Sequence, residues 1–132
     1  MSELRFLNPA TMPPTRGYTH VVEATGPGRI VYLSGQLGYT ADGRIAPDFR
    51  GQATQVFENL KAGLAAVGGD LKHVVKITCF FANMDDLPTY FEVRDRFVNT
   101  AAPPASTAIQ ITRLARDVAL IEIEATAVLP PK

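Results

Sequence analysis

Two hydrophobic rhythms alternate along this chain. Apolar and polar residues that exchange at every position mark a strand with two different faces. Apolar residues that return every third or fourth position mark one face of a helix. The period of two is clearest near the C-terminus. Thr107, Ile109 and Ile111 alternate there with Ser106, Ala108, Gln110 and Thr112. After a polar connection at Leu114 to Asp117, Ile121, Ile123, Ala125 and Ala127 alternate with Glu122, Glu124 and Thr126. The pattern predicts two strands joined as a hairpin with a longer loop. One face of that ribbon is apolar. The other gathers Glu122, Glu124, Gln110 and small residues such as Ala108, and suits either a solvent edge or a lined cleft.

The same rules segment the rest of the chain. Leu4 to Leu7 is a short edge strand stopped by Asn8-Pro9, and residues 9 to 17 are Pro-rich and loop-like. Tyr18 to Ala24 alternates as a strand, and Thr25-Gly26-Pro27-Gly28 is a tight turn. Arg29 to Ser34, β-branched and aromatic, returns as a second strand closed by Ser34-Gly35-Gln36. Phe49, Ala53, Val56, Phe57, Leu60, Leu64 and Val67 recur at helical spacing, with Asp48 as N-cap and Gly68-Gly69 as the stop. Val74 to Phe81 is almost continuously apolar and suits a central strand. Asp85 or Asp86 caps a second helix with Pro88 in its first turn and Leu87, Tyr90, Phe91, Arg94, Phe97 and Val98 along one stripe.

The expected order is strand, strand, strand, helix, strand, helix, strand, strand, an α+β domain over residues 1–132. Two helices cover one face of such a sheet, and the chain has no third layer for the other. A second subunit is therefore expected on the bare face, packed through the strands that carry Gln110 and Glu122, with Ala108 among the contact positions.

Composition narrows the function. Thirteen Lys and Arg balance 13 Asp and Glu over 132 residues, for a net charge of zero, which argues against a nucleic-acid-binding footprint. No apolar run approaches the roughly 18 residues of a membrane span. The start Met-Ser-Glu-Leu-Arg-Phe has no apolar leader, and Cys79 is the only cysteine. These features read as a soluble cytoplasmic protein.

Several stretches together resemble the Rid family, the reactive-intermediate deaminases also called the YjgF family. They are Gly17-Tyr18-Thr19, Leu33-Ser34-Gly35-Gln36, Gln52 with Asn59-Leu60, Val74 to Thr78, Pro103 to Thr107, and Ile121-Glu122-Ile123-Glu124-Ala125. The resemblance implies a chorismate-mutase-like fold, a mixed β-sheet with two helices on one face. Three copies would pack sheet to sheet into a barrel, with small-molecule sites in the subunit clefts. It also implies cofactor-free hydrolysis of short-lived 2-imino or 2-aminoacrylate-type acids to keto acids and ammonia. Glu122 takes the water-activating role, and Tyr18 and Ser34 line the pocket. The family's carboxylate-clamping arginine falls on Ser106 here, and a hydroxyl cannot reproduce a two-donor planar fork. The substrate is therefore expected to shift away from classical 2-imino acids. A non-catalytic metabolite- or partner-binding module on the same trimer is the alternative.

Each candidate also has an ordinary reading. Glu122 and Glu124 suit a polar interface that pairs with cations of another subunit. Tyr18 suits a half-buried strand tyrosine. Arg16, beside Gly17-Tyr18, suits either a substitute anion anchor or a solvated loop. Arg113 suits a carboxylate partner across a turn. Ser34 has no His or Asp at triad spacing. His20 and His73 are isolated, so no metal site is expected. Cys79 sits in the most apolar strand, where a thiol is buried and inert.

Overall fold

The computed structural model describes residues 3–132. The elements are β1 (Glu3–Leu7), β2 (Val21–Thr25), β3 (Arg29–Gln36), α1 (Phe49–Ala65), β4 (Val74–Phe81), α2 (Leu87–Arg94), β5 (Ala105–Gln110) and β6 (Ile121–Leu129). Their order is the expected one, and the chain is an α+β domain. β1 and β2 pair antiparallel as a separate ribbon, and the other strands form a mixed sheet in the order β3-β6-β4-β5. β6 runs antiparallel to both β3 and β4, whereas β5 runs parallel to β4. No helix among the described residues is long and apolar enough to cross a membrane.

The expected hairpin between β5 and β6 does not form, because β4 lies between them. The most apolar strand takes the centre, and the last two strands add on either side of it. Ile111 N–H donates to the Phe81 carbonyl and Ala82 N–H to the Leu120 carbonyl, at 3.0 and 3.1 Å. Both ends of the long β5–β6 connection are thus tied to the end of β4. Since β5 is parallel to β4 with Ser106 beside Ile77 and Ala108 beside Cys79, Ser106 and Ala108 face the helices. Glu122, opposite Phe80, faces away. Ala108 and Gln110 therefore do not share the bare face with Glu122, which corrects that expectation.

The second strand also starts later than expected, at Val21 rather than Tyr18. Thr19 donates through its N–H to the Pro104 carbonyl and through its hydroxyl to the Pro103 carbonyl, and His20 N–H donates to Asn8 Oδ1. These bonds hold Tyr18 to His20 against the start of β5 instead of in the ribbon.

The core lies between the helices and one sheet face. Phe49, Ala53, Val56, Phe57, Leu60 and Leu64 of α1 meet Ile77, Cys79 and Phe81 of β4 and Ile121, Ile123, Ala125, Ala127 and Leu129 of β6. Each large side chain fully removed from water there contributes about 1.5–3 kcal/mol. Asp48 caps α1 by accepting Gly51 N–H at 3.3 Å. After the helix Gly68 turns into the left-handed region (φ 79°) and Gly69 N–H returns to the Leu64 carbonyl. At α2 neither predicted carboxylate forms the side-chain cap. Asn83 instead accepts Asp85 N–H in the short turn that precedes the helix.

Among the described residues, none covers the opposite sheet face. Ile30 is 62 % exposed, Tyr32 78 % and Ile109 41 %. Thr78, Phe80, Thr107, Glu122 and Glu124 share that face by register.

Candidate functional site

A pocket of about 160 Å³ opens between α2 and the edge strand β5, lined by Arg16, Tyr18, Leu87, Tyr90, Phe91, Arg94, Ser106 and Ala108. Three residues singled out from the sequence thus meet here: Arg16, Tyr18 and Ser106. The loop before β2 delivers the first two because Thr19 is tied to Pro103 and Pro104. Strand β5 delivers Ser106 on its helix-facing side. Tyr18 stands edge-on to His20, with ring centroids 5.6 Å apart.

The second cation of the pocket, Arg94, enters the sequence pattern only as part of the α2 stripe. It is 6 % exposed at the last turn of α2. Its guanidinium carbon sits 4.6 Å from the Phe91 ring centre and 5.8 Å from that of Tyr90, within cation–π range. Nε donates to Asp95 Oδ1 at 2.9 Å, and Nη2 lies 2.9 Å from the same oxygen as an ion pair. Gly17 closes the other side: a Cβ there would lie 2.7 Å from Cζ and 2.9 Å from Nη1. Gly17 also adopts φ 77°, so both its backbone and the space it leaves call for glycine.

Beneath the pocket, Cys79 is fully buried and its Sγ lies 3.0 Å from the Tyr90 hydroxyl. Burial pushes the thiol up to about 11, against the opposing pull of the Tyr90 hydroxyl, the Arg94 charge and the Ser106 hydroxyl. Burial likewise raises the Tyr90 hydroxyl well above its ordinary value. Neither group is ionised near neutrality, so the pocket's charge comes from the arginines and Asp95.

Ser34 and Glu122 are elsewhere. Ser34 and Gly35 together oppose Glu124 in a bulge between Leu33–Ala125 and Gln36–Ile123. The Glu122 side chain lies over the Gly35 backbone so closely that a Cβ at 35 would come within 2.8 Å of its Cδ. Ser106 and Glu122 are two strands and three residues apart by register, about 14 Å in strand geometry, and on opposite faces. Within one chain the pocket and the carboxylate cannot serve the same small ligand.

Other candidates resolve into structure. Arg113 pairs with Asp117, as expected of a turn. His20 Nε2 contacts the Pro13 carbonyl, and His73 Nδ1 accepts Asp70 N–H. Gln52 and Asn59 hold loop backbone: Gln52 bonds Ala46, Val118 and Leu120, and Asn59 bonds Leu37 and Tyr39. A larger hollow of about 460 Å³ beside Lys61, Lys72 and Arg96 holds none of the predicted residues. Its lysines are exposed and lie 4.0 Å from Glu58 and Asp70.

Comparison with known proteins places this geometry. The family model described as endoribonuclease L-PSP matches residues 9–129. Protein DfrA of Myxococcus xanthus is 39 % identical over 113 residues, 84 % of each chain. A 2-iminobutanoate/2-iminopropanoate deaminase of Dermatophagoides farinae is 32 % identical over 132 residues, covering 98 % of this chain and 99 % of the relative. The crystal structure of YyfB from Yersinia pestis, a protein of unknown function of the conserved Rid family, superimposes with a TM-score of 0.88. It is 34 % identical, over 96 % of this chain and 98 % of the other.

Proposed function

The chain belongs to the Rid (YjgF) family, and from that premise we propose that it hydrolyses a small reactive imine or enamine to a carbonyl compound and ammonia, without a cofactor. One observation carries this reading. A pocket of about 160 Å³ gathers Arg16, Tyr18 and Ser106 with a buried arginine. A cavity of about 150 Å³ admits a guest the size of benzene, which is the size of a short imino acid.

The proposed site is completed by a second copy of the chain. The uncovered face bearing Ile30, Tyr32 and Ile109 supports a homotrimer packed sheet to sheet. In that assembly Glu122 of one protomer stands over the pocket of its neighbour. Its carboxylate takes a proton from water as the water oxygen bonds to the imine carbon and the C=N electron pair moves to nitrogen. The proton then passes to nitrogen, and the carbinolamine collapses to carbonyl and ammonia. General-base help of this kind is worth about 10²–10⁴-fold. Glu124, beside the bulge, has a structural role. Tyr18 covers the ligand, and Ser34 holds the strand end behind Glu122.

Ser106 shifts the substrate away from classical 2-imino acids, because β5 offers a hydroxyl where a fork would grip a carboxylate. It favours a neutral group at that end. Ser106 also supports a second reading, a non-catalytic binding module for a metabolite or partner on the same trimer. The neutral charge speaks against ribonuclease chemistry. The reading goes with a cytoplasmic location.

Ammonia release from a panel of freshly generated imino acids and neutral imines tests the proposal. Release above the spontaneous rate for at least one of them, with a loss of 10²-fold or more in Glu122→Gln, is expected. No release from any, with ligand still bound, selects the binding module.

A further inference from the structure

We propose that Arg94, projecting from α2, is the anion anchor of the pocket. It would grip a ligand carboxylate from the wall opposite Ser106 and so reverse the end at which an acid is held. This rests on the reading of the pocket as the ligand site, and it names the ligand class as a small carboxylate whose neutral end meets Ser106.

The argument starts from a donor count. A guanidinium carries five N–H groups. Asp95 Oδ1 accepts the one on Nε and, 2.9 Å from Nη2, engages at most one more. At least three remain, two on Nη1 and one on Nη2, and among the described residues none of these has a hydrogen-bond acceptor within the protein. One on Nη1 and one on Nη2 point outward side by side along the end of the plane, the geometry that receives both oxygens of a carboxylate.

That edge is fixed in place. The rings of Phe91 and Tyr90 lie against the guanidinium, and Gly17 leaves no room for it to swing the other way. Asp95 holds the far edge. A buried cation with this much support and donors left over is preorganised for an anion, which need not wait for a long side chain to be ordered.

The charge balance agrees. The pocket lining has two cations, Arg16 and Arg94, and no carboxylate. Counting Asp95 behind Arg94 leaves a net charge of +1. Arg16 is exposed and has no ion-pair partner among the described residues, so it adds attraction at the mouth without fixed geometry.

The test measures binding, which does not depend on turnover. 2-Oxobutanoate, a stable small keto acid, and its neutral amide are titrated into wild type, Arg94→Met, Arg94→Lys and Arg16→Met, each first shown to keep its assembly and unfolding midpoint. The wild type is expected to bind the acid at least about tenfold more tightly than the amide. Arg94→Met should bring that ratio near one, and Arg94→Lys should keep part of it. Arg16→Met should keep most of it. Adding Ser106→Arg to Arg94→Met should restore the preference from the other wall. If Arg94→Met does not assemble, the wild type still decides: the Nε–H resonance of Arg94 should shift on titration with the acid and stay put with the amide. Equal binding of acid and amide by wild type overturns the proposal, as does a preference that survives Arg94→Met or vanishes with Arg16→Met. If the acid binds through Arg94 but no imine is hydrolysed, the deaminase reading fails and the anchor stands.

Discussion

Gln52 has no exposed surface, and its amide makes three backbone hydrogen bonds. Nε2 donates to the carbonyls of Ala46 at 2.9 Å and Val118 at 2.8 Å, and Oε1 accepts Leu120 N–H at 2.8 Å. The side chain thereby ties α1 to the loop before it and to the segment that leads into β6 and Glu122. Gln52→Leu keeps the helix and most of the volume but removes all three bonds. At about 1 kcal/mol net per bond the loss is about 3 kcal/mol. Orphaned buried groups push each term toward 1–3 kcal/mol, and the extra apolar burial of leucine returns about 1–2 kcal/mol. The expected destabilisation is about 2–4 kcal/mol. A chain of this length should then lose about 10 °C in Tm. Guanidinium unfolding of both proteins at equal concentration measures it, since association would otherwise alter the apparent stability. A loss below about 1 kcal/mol would refute the reasoning, because loop shifts or water would then be satisfying those groups.

Three more outcomes are expected. Cys79 should label slowly with a thiol reagent at neutral pH without denaturant. Because burial raises it from 9.0 to about 11 in the folded chain, its contribution to stability is complete below pH 9 and is lost as pH rises through about 11. The stability difference between wild type and Cys79→Ala should shrink over that window, and a difference independent of pH would place the thiol in water. Tyr32→Glu puts a charge on the most exposed aromatic of the bare face and should lower the mass seen by light scattering, whereas Ala108→Arg should disturb the pocket rather than the assembly. Gly35→Ala should displace the Glu122 carboxylate and lower kcat while the assembly persists, and an unchanged kcat would remove Glu122 from the chemistry.

The strongest periodicities were legible almost to the residue, although α1 ends at Ala65, short of the Val67 that the spacing includes. β4 spans Val74–Phe81 as its apolar run predicts, and α1 ends where Gly68-Gly69 stop it. Alternation also identified β5 and β6, but it reports which residues share a face, not which strand is the neighbour. Pairing depended on the competition for the central position, won by β4. The start of β2 was misjudged because Thr19 bonds Pro103 and Pro104, far along the chain. Of the residues that line the pocket, Tyr18 and Ser106 stand out through the family motif and Arg16 by its place beside Gly17-Tyr18. Arg94 does not, since its meaning depends on the missing Cβ of Gly17 and on the rings beneath it. A signal was present: an arginine in the core-facing stripe of a helix, followed at once by an aspartate.

The most direct test of a site shared between protomers is complementation. Glu122→Gln lacks the base but keeps the pocket, and Ala108→Phe fills the pocket but keeps the base. Each alone should be inactive on the best imine of the panel. Unfolded together in equal amounts and refolded, they form mixed assemblies. In a cyclic oligomer each site takes its pocket from one protomer and its Glu122 from the next, so about one site in four is intact. The account predicts recovery of about a quarter of the activity of wild type refolded in parallel. A mixture as inactive as its parents, beside a wild type that regains its rate, would contradict it.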